Sequence, residues 1–339
     1  MTERVITLSA KTLERAKVKL VPSTKPVGLA NFGNTCFFNS ALQLFFSSFR
    51  FVGFSKNLES SSSPDSVLIS ELDVIIDESN DDKNRHRVFV EQVYKEKGTW
   101  DPGMQQDCHE CIMFILDLFD TRLKLPENPR RKHRKVSLGK EYDEIMRSFG
   151  NYYWKDYTYR MHDIVKSFHG LYHSSTTCSV CKNENNKWDL FSNITLTTDF
   201  KKFSDWLENF SQEEIVEHYE CEKCKKKTCA AKQIEVWRYP KTLILHSINK
   251  TFLSLNTEIK VDEPVHGECV FDLRGIVFHA GADIDSGHYY SAIKKNDEWF
   301  IVNDAQVFGP ISPGTDLKQH VRSSYILLYE RVSKTNRED

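Results

Sequence analysis

The pattern of hydrophobic and polar positions divides the chain into two parts of different period. After Cys36, the residues Phe37, Phe38, Ala41, Leu42, Leu44, Phe45 and Phe46 recur at helical spacing and leave almost no polar face, which predicts a buried helix. Cys108–Lys124 has apolar positions at the same spacing, with Pro102 and Gly103 ahead of it and Asp107 placed to cap its start. From about Lys166 the character changes. Trp188–Thr197, Gln233–Trp237, Thr242–Ile248, Leu273–His279, His288–Lys294, Trp299–Val302 and Ser324–Glu330 are β-branched and aromatic with turns between them, and they predict strands. Helices first and strands afterwards, without alternating βαβ units, predict an α+β fold. The Ser-rich Lys56–Ser66 reads as a loop. The basic stretch Pro126–Lys135 reads as a solvated loop before it reads as a nuclear-import or anion-binding patch.

Composition narrows the function classes. The chain has 339 residues, 40% of them hydrophobic, enough for a large core in one or two domains. A net charge of -2 gives no global basic field, so nucleic acid is not the expected partner. No apolar run approaches the roughly 20 residues that span a bilayer. The first twenty residues are charged throughout and lack the apolar core of a secretory signal. The expectation is a monomer without membrane partners, in the cytoplasm, the nucleus or both. Thiols stay reduced there, so nine cysteines point to metal ligands, catalysis or packing. The sequons at Asn193 and Asn249 then carry no information.

Three groups of residues carry candidate chemistry. Cys36 opens an apolar helix behind Gly33, Asn34 and Thr35, which supply turn and cap residues. A helix N-terminus favours the thiolate, the attacking form of cysteine. A buried structural cysteine is the competing reading of this segment alone. Asn31 and Asn34 are candidates to meet a developing oxyanion, or are turn residues. His288 follows Ser286-Gly287 and opens a predicted strand. The turn Lys295–Glu298 then leads to an aromatic strand ending at Asn303-Asp304, so a hairpin would bring Asn303 or Asp304 back beside His288. His279 is the competing base, without an obvious orienting group. Finally, Cys178-Ser179-Val180-Cys181 and Cys221-Glu222-Lys223-Cys224 are two C-x-x-C pairs, a four-thiolate set suited to tetrahedral Zn2+. Their separation exceeds the usual ribbon spacing of roughly 15–20 residues. A substantial excursion containing strands and Phe203–Phe210 must therefore fit between them. Cys108 and Cys111 lie inside a helical pattern and read as packing, while Cys229 and Cys269 have no assignment.

In series, these segments closely resemble the ubiquitin-specific protease family of papain-like cysteine deubiquitinases. The resemblance runs from about Pro26 to Glu330 through GLANFGNTCFFNSALQLFF, QQDCHECIMFILDLFD, FHGLYHSSTTCSVC with HYECEKC, YPKTLILHSINK, GHYYSAIKKNDEWFIVNDAQV and SSYILLYER. It implies a papain-like thumb–palm–fingers architecture with a zinc-binding fingers insert. An N-terminal extension over 1–25 would precede a catalytic domain over 26–333, with a tail over 334–339. Within the domain the thumb covers about 26–125, the zinc fingers insert about 170–235, and the palm the remainder. It implies hydrolysis after the C-terminal Gly of ubiquitin, with ubiquitin and ubiquitinated proteins as partners. Carried over residue by residue, Cys36 is the nucleophile, His288 the general base and Asn303 the triad's third member. Asp304 is an acidic neighbour able to share or take over that orienting role, and Asn31 is the oxyanion-hole side chain. Cys178, Cys181, Cys221 and Cys224 are the zinc ligands.

Departures from the family pattern are Phe37 for Tyr, Cys108 for Ala, Cys111 for Phe, and HSINKTF after the fingers for His-Leu-Lys-Arg-Phe. None removes a catalytic group. A catalytically weak ubiquitin-binding scaffold, and a protease for another ubiquitin-like modifier, are the alternatives. A zinc-ribbon nucleic-acid module, suggested by the Lys-rich Lys223–Lys227, leaves both the Cys and His segments unexplained.

Overall fold

A computed structural model of the chain describes residues 25–52, 83–125, 141–197, 202–248, 254–283 and 286–332. The Ser-rich Lys56–Ser66, the basic Pro126–Lys135, residues 1–24 of the extension and the tail lie outside the described residues. In chain order the helices are α1 (Cys36–Phe46), α2 (Lys83–Lys97), α3 (Cys108–Arg122), α4 (Tyr142–Thr158), α5 (Asp163–Ser167) and α6 (Phe203–Phe210). The strands are β1 (Gly170–Cys178), β2 (Glu184–Phe191), β3 (Ile194–Leu196), β4 (Glu214–Glu220), β5 (Lys227–Arg238), β6 (Thr242–Ser247), β7 (Glu258–Glu263), β8 (Gly267–Asp283), β9 (Ser286–Lys295), β10 (Glu298–Asn303), β11 (Gln306–Ile311) and β12 (Ser324–Arg331). The α+β expectation holds. α4, β1, β4, β7 and β11 were not among the elements expected from the pattern. The expected strand Trp188–Thr197 is in fact two. The chain leaves one sheet at Phe191 and enters the other at Ile194, and Asn193 Nδ2 donates to Thr195 Oγ1 at 3.0 Å across the break.

The larger sheet runs β11-β10-β9-β8-β12-β6-β3, with β7 paired to β8. Its central strands are buried on both faces, and they read as continuous apolar runs for that reason. Side chains alternate between two cores. Ile244, Val277, Ile326 and Leu328 face the helices, where they meet Phe37, Phe38, Phe45, Ile112 and Phe168. Leu243, Leu245, Ile276, Phe278, Leu327 and Tyr329 face the other way, toward Phe203 and Trp206 of α6. α1 has every residue buried except Phe46, and it packs on β9, β8, β10 and α3. Each fully buried phenylalanine on it contributes roughly 1.5–3 kcal/mol, enough to hold the helix against the sheet without exposed faces.

The smaller sheet runs β2-β1-β5-β4 and projects from the larger one through β1 and β5. Met146 and Trp154 of α4 close its root against Leu171, Trp188 and Trp237. Among the described residues, no helix is long and apolar enough to cross a membrane.

Candidate active site and thiol cluster

The start of α1 is built by local backbone geometry. Gly33 (φ 98°) and Asn34 (φ 54°) both take the left-handed conformation, turning the chain into the helix. Thr35 stands at the N-cap position, yet its hydroxyl accepts from Phe32 N at 3.0 Å instead of capping the helix. Asn31 Oδ1 does the local work, accepting from Gly33 N (3.0 Å), Thr35 N (3.1 Å) and Thr35 Oγ1 (3.2 Å). With its oxygen committed, the Asn31 amide can act only as a donor. Asn34 Nδ2 donates to Gly103 O at 2.5 Å and ties this turn to the loop before α3.

Cys36 is 3% exposed, at the first turn of α1. Burial pushes its thiol above the ordinary range, and the Asp304 carboxylate pushes the same way. Backbone N–H groups of Tyr289, Phe37 and Cys36 itself oppose the rise. The helix that Cys36 opens packs on β9, the strand that carries His288. Phe37, which lacks the family's hydroxyl, is fully buried and meets Trp100 edge-on at 5.4 Å.

The expected hairpin forms. β9 and β10 are joined through Asn296 and Asp297, both at positive φ as a tight two-residue turn requires. Their register pairs Lys295 with Glu298 and Ser291 with Val302. Continued one step, that register would set Asn303 across from Tyr290 and make His288 its diagonal neighbour on the same face. His288 Nε2 lies 2.6 Å from Asn303 Oδ1. An amide oxygen only accepts, so Nε2 is the donor in this bond, which leaves Nδ1 as the ring nitrogen that can act as base.

Asp304 does something else. It occupies the β10–β11 turn at φ 49°, and its carboxylate accepts from Asn31 Nδ2 (2.9 Å) and Asn39 Nδ2 (2.8 Å). Its carbonyl accepts from Leu29 N at 2.9 Å. Gly28 lies against the same turn, where a Cβ would stand 2.4 Å from Ala305 O. The segment leading to Cys36 is thus docked on the turn that follows Asn303. His279 is 1% exposed, packed on the Tyr289 ring at 4.4 Å and against Gly287.

Two participants were missed in the sequence. Asn39 is 2% exposed on an otherwise apolar helix, and its amide reaches Leu29 O, Ala30 O and Asp304. A buried polar side chain among phenylalanines was the available signal. Gln105, from the Gln-Gln-Asp segment, bonds the Gly287 backbone. Asp107 accepts from Glu110 N at 2.8 Å as the expected cap of α3, and Tyr325 Oη donates to its second oxygen. Cys108 and Cys111 are fully buried packing residues, with burial pushing both thiols far up.

The second candidate site lies at the tip of the smaller sheet. The long excursion between the C-x-x-C pairs closes because β1 and β5 are neighbours, pairing Cys178 with Ala230. The Sγ atoms of Cys178, Cys181, Cys221 and Cys224 all fall within 4.8 Å of one another and could hold a metal ion. Cys178 and Cys224 are 3.9 Å apart, and Cys181 and Cys221 are 3.6 Å apart. The two turns are alike. Lys182 N donates to Cys178 O and Lys225 N to Cys221 O, with Lys182 at φ 55° and Lys225 at φ 54°. None of the nine cysteines forms a disulfide.

Known proteins resemble the chain over nearly its whole length. A family model described as ubiquitin carboxyl-terminal hydrolase matches residues 27–329. Ubiquitin carboxyl-terminal hydrolase 46 of Caenorhabditis elegans is 25% identical over 334 residues, covering 82% of this chain and 78% of that protein. Probable ubiquitin carboxyl-terminal hydrolase 16 of Schizosaccharomyces pombe is 24% identical over 339 residues, covering 91% of this chain and 67% of that protein. Among solved structures, the SAGA Ubp8/Sgf11/Sus1/Sgf73 DUB module bound to ubiquitin aldehyde has a TM-score of 0.70 at 23% identity. That match covers 96% of this chain and 74% of the other. The helical lobe, large sheet and projecting small sheet are thumb, palm and fingers of that fold.

Proposed function

The chain belongs to the ubiquitin carboxyl-terminal hydrolase family, and on that premise we propose that Cys36, His288 and Asn303 form the triad of a thiol-dependent deubiquitinase. The chain is a cysteine-type hydrolase of bonds at the ubiquitin C-terminus, by its family. The observation that carries the residue assignment is the 2.6 Å contact of His288 with Asn303 on β9 and β10, the strands against which the helix opened by Cys36 packs.

In this reading the same residues carry the whole reaction. His288 Nδ1 takes the proton of the buried Cys36 thiol, and Asn303 holds the ring in the tautomer that allows it. The thiolate attacks the carbonyl carbon of the C-terminal Gly of ubiquitin. Asn31 Nδ2 and backbone N–H groups at the start of α1 stabilise the oxyanion. Asp304 keeps the Asn31 amide aimed, a role separate from that of Asn303. The imidazolium protonates the leaving lysine amine, and a thioester remains. Water, deprotonated by His288, attacks the thioester, releases ubiquitin and restores the thiol. Recognition of folded ubiquitin falls to the surfaces of palm and fingers.

The metal of the fingers is zinc in this reading. Tetrahedral Zn–S bonds of about 2.3 Å require S···S edges of about 3.8 Å; the 3.6 and 3.9 Å separations match two of these edges, and all four Sγ atoms lie within 4.8 Å of one another. Cys178, Cys181, Cys221 and Cys224 would hold it, and it would supply a cross-link between two hairpins. The catalytic domain spans 26–333, with fingers over about 170–235, and acts as a monomer on ubiquitinated proteins in the cytoplasm or nucleus.

The test is covalent labelling by ubiquitin carrying a C-terminal electrophile. Wild type should form the adduct and Cys36→Ala, still folded and still binding ubiquitin, should not. An adduct on Cys36→Ala would overturn the assignment, and a wild type reacting only with another modifier would change the substrate.

A further inference from the structure

Gly287 occupies an irregular point of the large sheet. The β8–β9 ladder pairs Ala280 with His288 and Asp283 with Ser286, and passes over the residue between them. The β9–β10 ladder extends from Lys295 only to Ser291. Gly287 therefore has no cross-strand partner in either ladder. A Cβ there would stand 2.4 Å from His279 Nε2 and 2.7 Å from Ala280 O, so the position is held to glycine by crowding. The residue before His288 would be its least restrained neighbour without another anchor.

Gln105 is that anchor. Its Nε2 donates to Gly287 O at 2.8 Å and its Oε1 accepts from Gly287 N at 3.0 Å. The two bonds reproduce the reciprocal pair of an antiparallel ladder. Only a carboxamide offers donor and acceptor together at this reach. Gln105 precedes α3, which packs on α1 and hence on the helix of Cys36. We propose that Gln105 is a positioning residue that fixes the backbone before His288 and so sets the imidazole against Cys36 across the cleft between thumb and palm. Misplacing a reacting group by about 1 Å costs on the order of 10²-fold in rate.

The inference rests on the reading of Cys36 and His288 as nucleophile and base, and its test separates the two. Gln105→Met keeps the volume and removes both bonds. With a ubiquitin-derived fluorogenic substrate, its kcat should fall roughly 10- to 100-fold while KM stays within about twofold. Alkylation of Cys36 by iodoacetamide, read by mass spectrometry, needs no ubiquitin. Gln105→Met should slow it in wild type but not further in a His288→Ala background. If Gln105→Met melts early, Gln105→Glu serves instead, because it keeps the bond from Gly287 N and sets an oxygen against Gly287 O. An unchanged kcat, a loss carried by KM, or equal slowing with and without His288 would overturn the positioning role. A wild type that alkylates normally but cleaves no ubiquitin substrate would sink only the functional reading.

Discussion

Replacing Asp304 by alanine should separate the chemistry of the oxyanion from that of the base. The substitution removes two acceptors, at 2.9 Å from Asn31 Nδ2 and 2.8 Å from Asn39 Nδ2. Hydrogen bonds to a charged group contribute about 1.5–3 kcal/mol each. The Asn31 bond matters most for turnover, because it aims the remaining donor of that amide. Losing one oxyanion donor costs about 10²–10³ in kcat, or about 2.7–4 kcal/mol. The same carboxylate adds to burial in holding the Cys36 thiol up. Without it the thiol becomes more acidic, and the thiolate fraction at a fixed pH rises. Asp304→Ala should thus turn over about 10²-fold slower while its Cys36 alkylates at least as fast as wild type. Asn303→Ala should slow both, since it releases the His288 ring. The assay pairs steady-state hydrolysis with iodoacetamide alkylation on the same preparations. The reasoning is refuted if Asp304→Ala stays within about threefold of wild-type turnover, or if its alkylation falls in step with hydrolysis.

Cys181→Ser should lower bound metal and accelerate amide exchange in β4 and β5, yet leave Cys36 alkylation unchanged; alkylation tracking metal content would contradict this separation of sites. Acid should also weaken the fold through His86, whose ring is 4% exposed with neither nitrogen hydrogen-bonded among the described residues. Burial lowers it to about 4, against a partial opposing pull from Asp304. The unfolded chain binds this proton at higher pH, so stability should drop as pH falls from about 6.5 to about 4, by on the order of 3 kcal/mol from this group. Urea unfolding of wild type and His86→Phe across that range checks it, and identical slopes for the two proteins would show that His86 takes no part.

Periodicity exposed the elements whose burial is extreme. The α1 phenylalanines and the Ile326–Leu328 run announce themselves because each has both faces covered. α4 escaped because its apolar face meets only the root of the fingers, and β4 because it is an exposed edge with no buried residue. The hairpin between His288 and Asn303 was readable from turn and strand lengths. The different partners of Asn303 and Asp304 were not, because they depend on the left-handed turn at Asp304, whose carboxylate accepts from Asn31. Nor was the Gln105 bond to Gly287, since 182 positions separate the partners and nothing local links them. The C-x-x-C pairs signalled their cluster at once, and only the pairing of β1 with β5 explains how so long an interval closes.

With the proposed triad, the β9–β10 hairpin makes catalytic competence a matter of parity. Val302 is buried and Asn303 reaches His288 because strand residues alternate faces. Lengthening the tip at Asn296-Asp297 leaves that alternation intact. One residue added between Trp299 and Asn303 would exchange inside for outside, sending the amide to the wrong side of the sheet while much of the core stays dressed in hydrophobic residues. The hairpin thus separates a permissive site for loop grafting from a segment where a single codon insertion would yield a folded but silent enzyme.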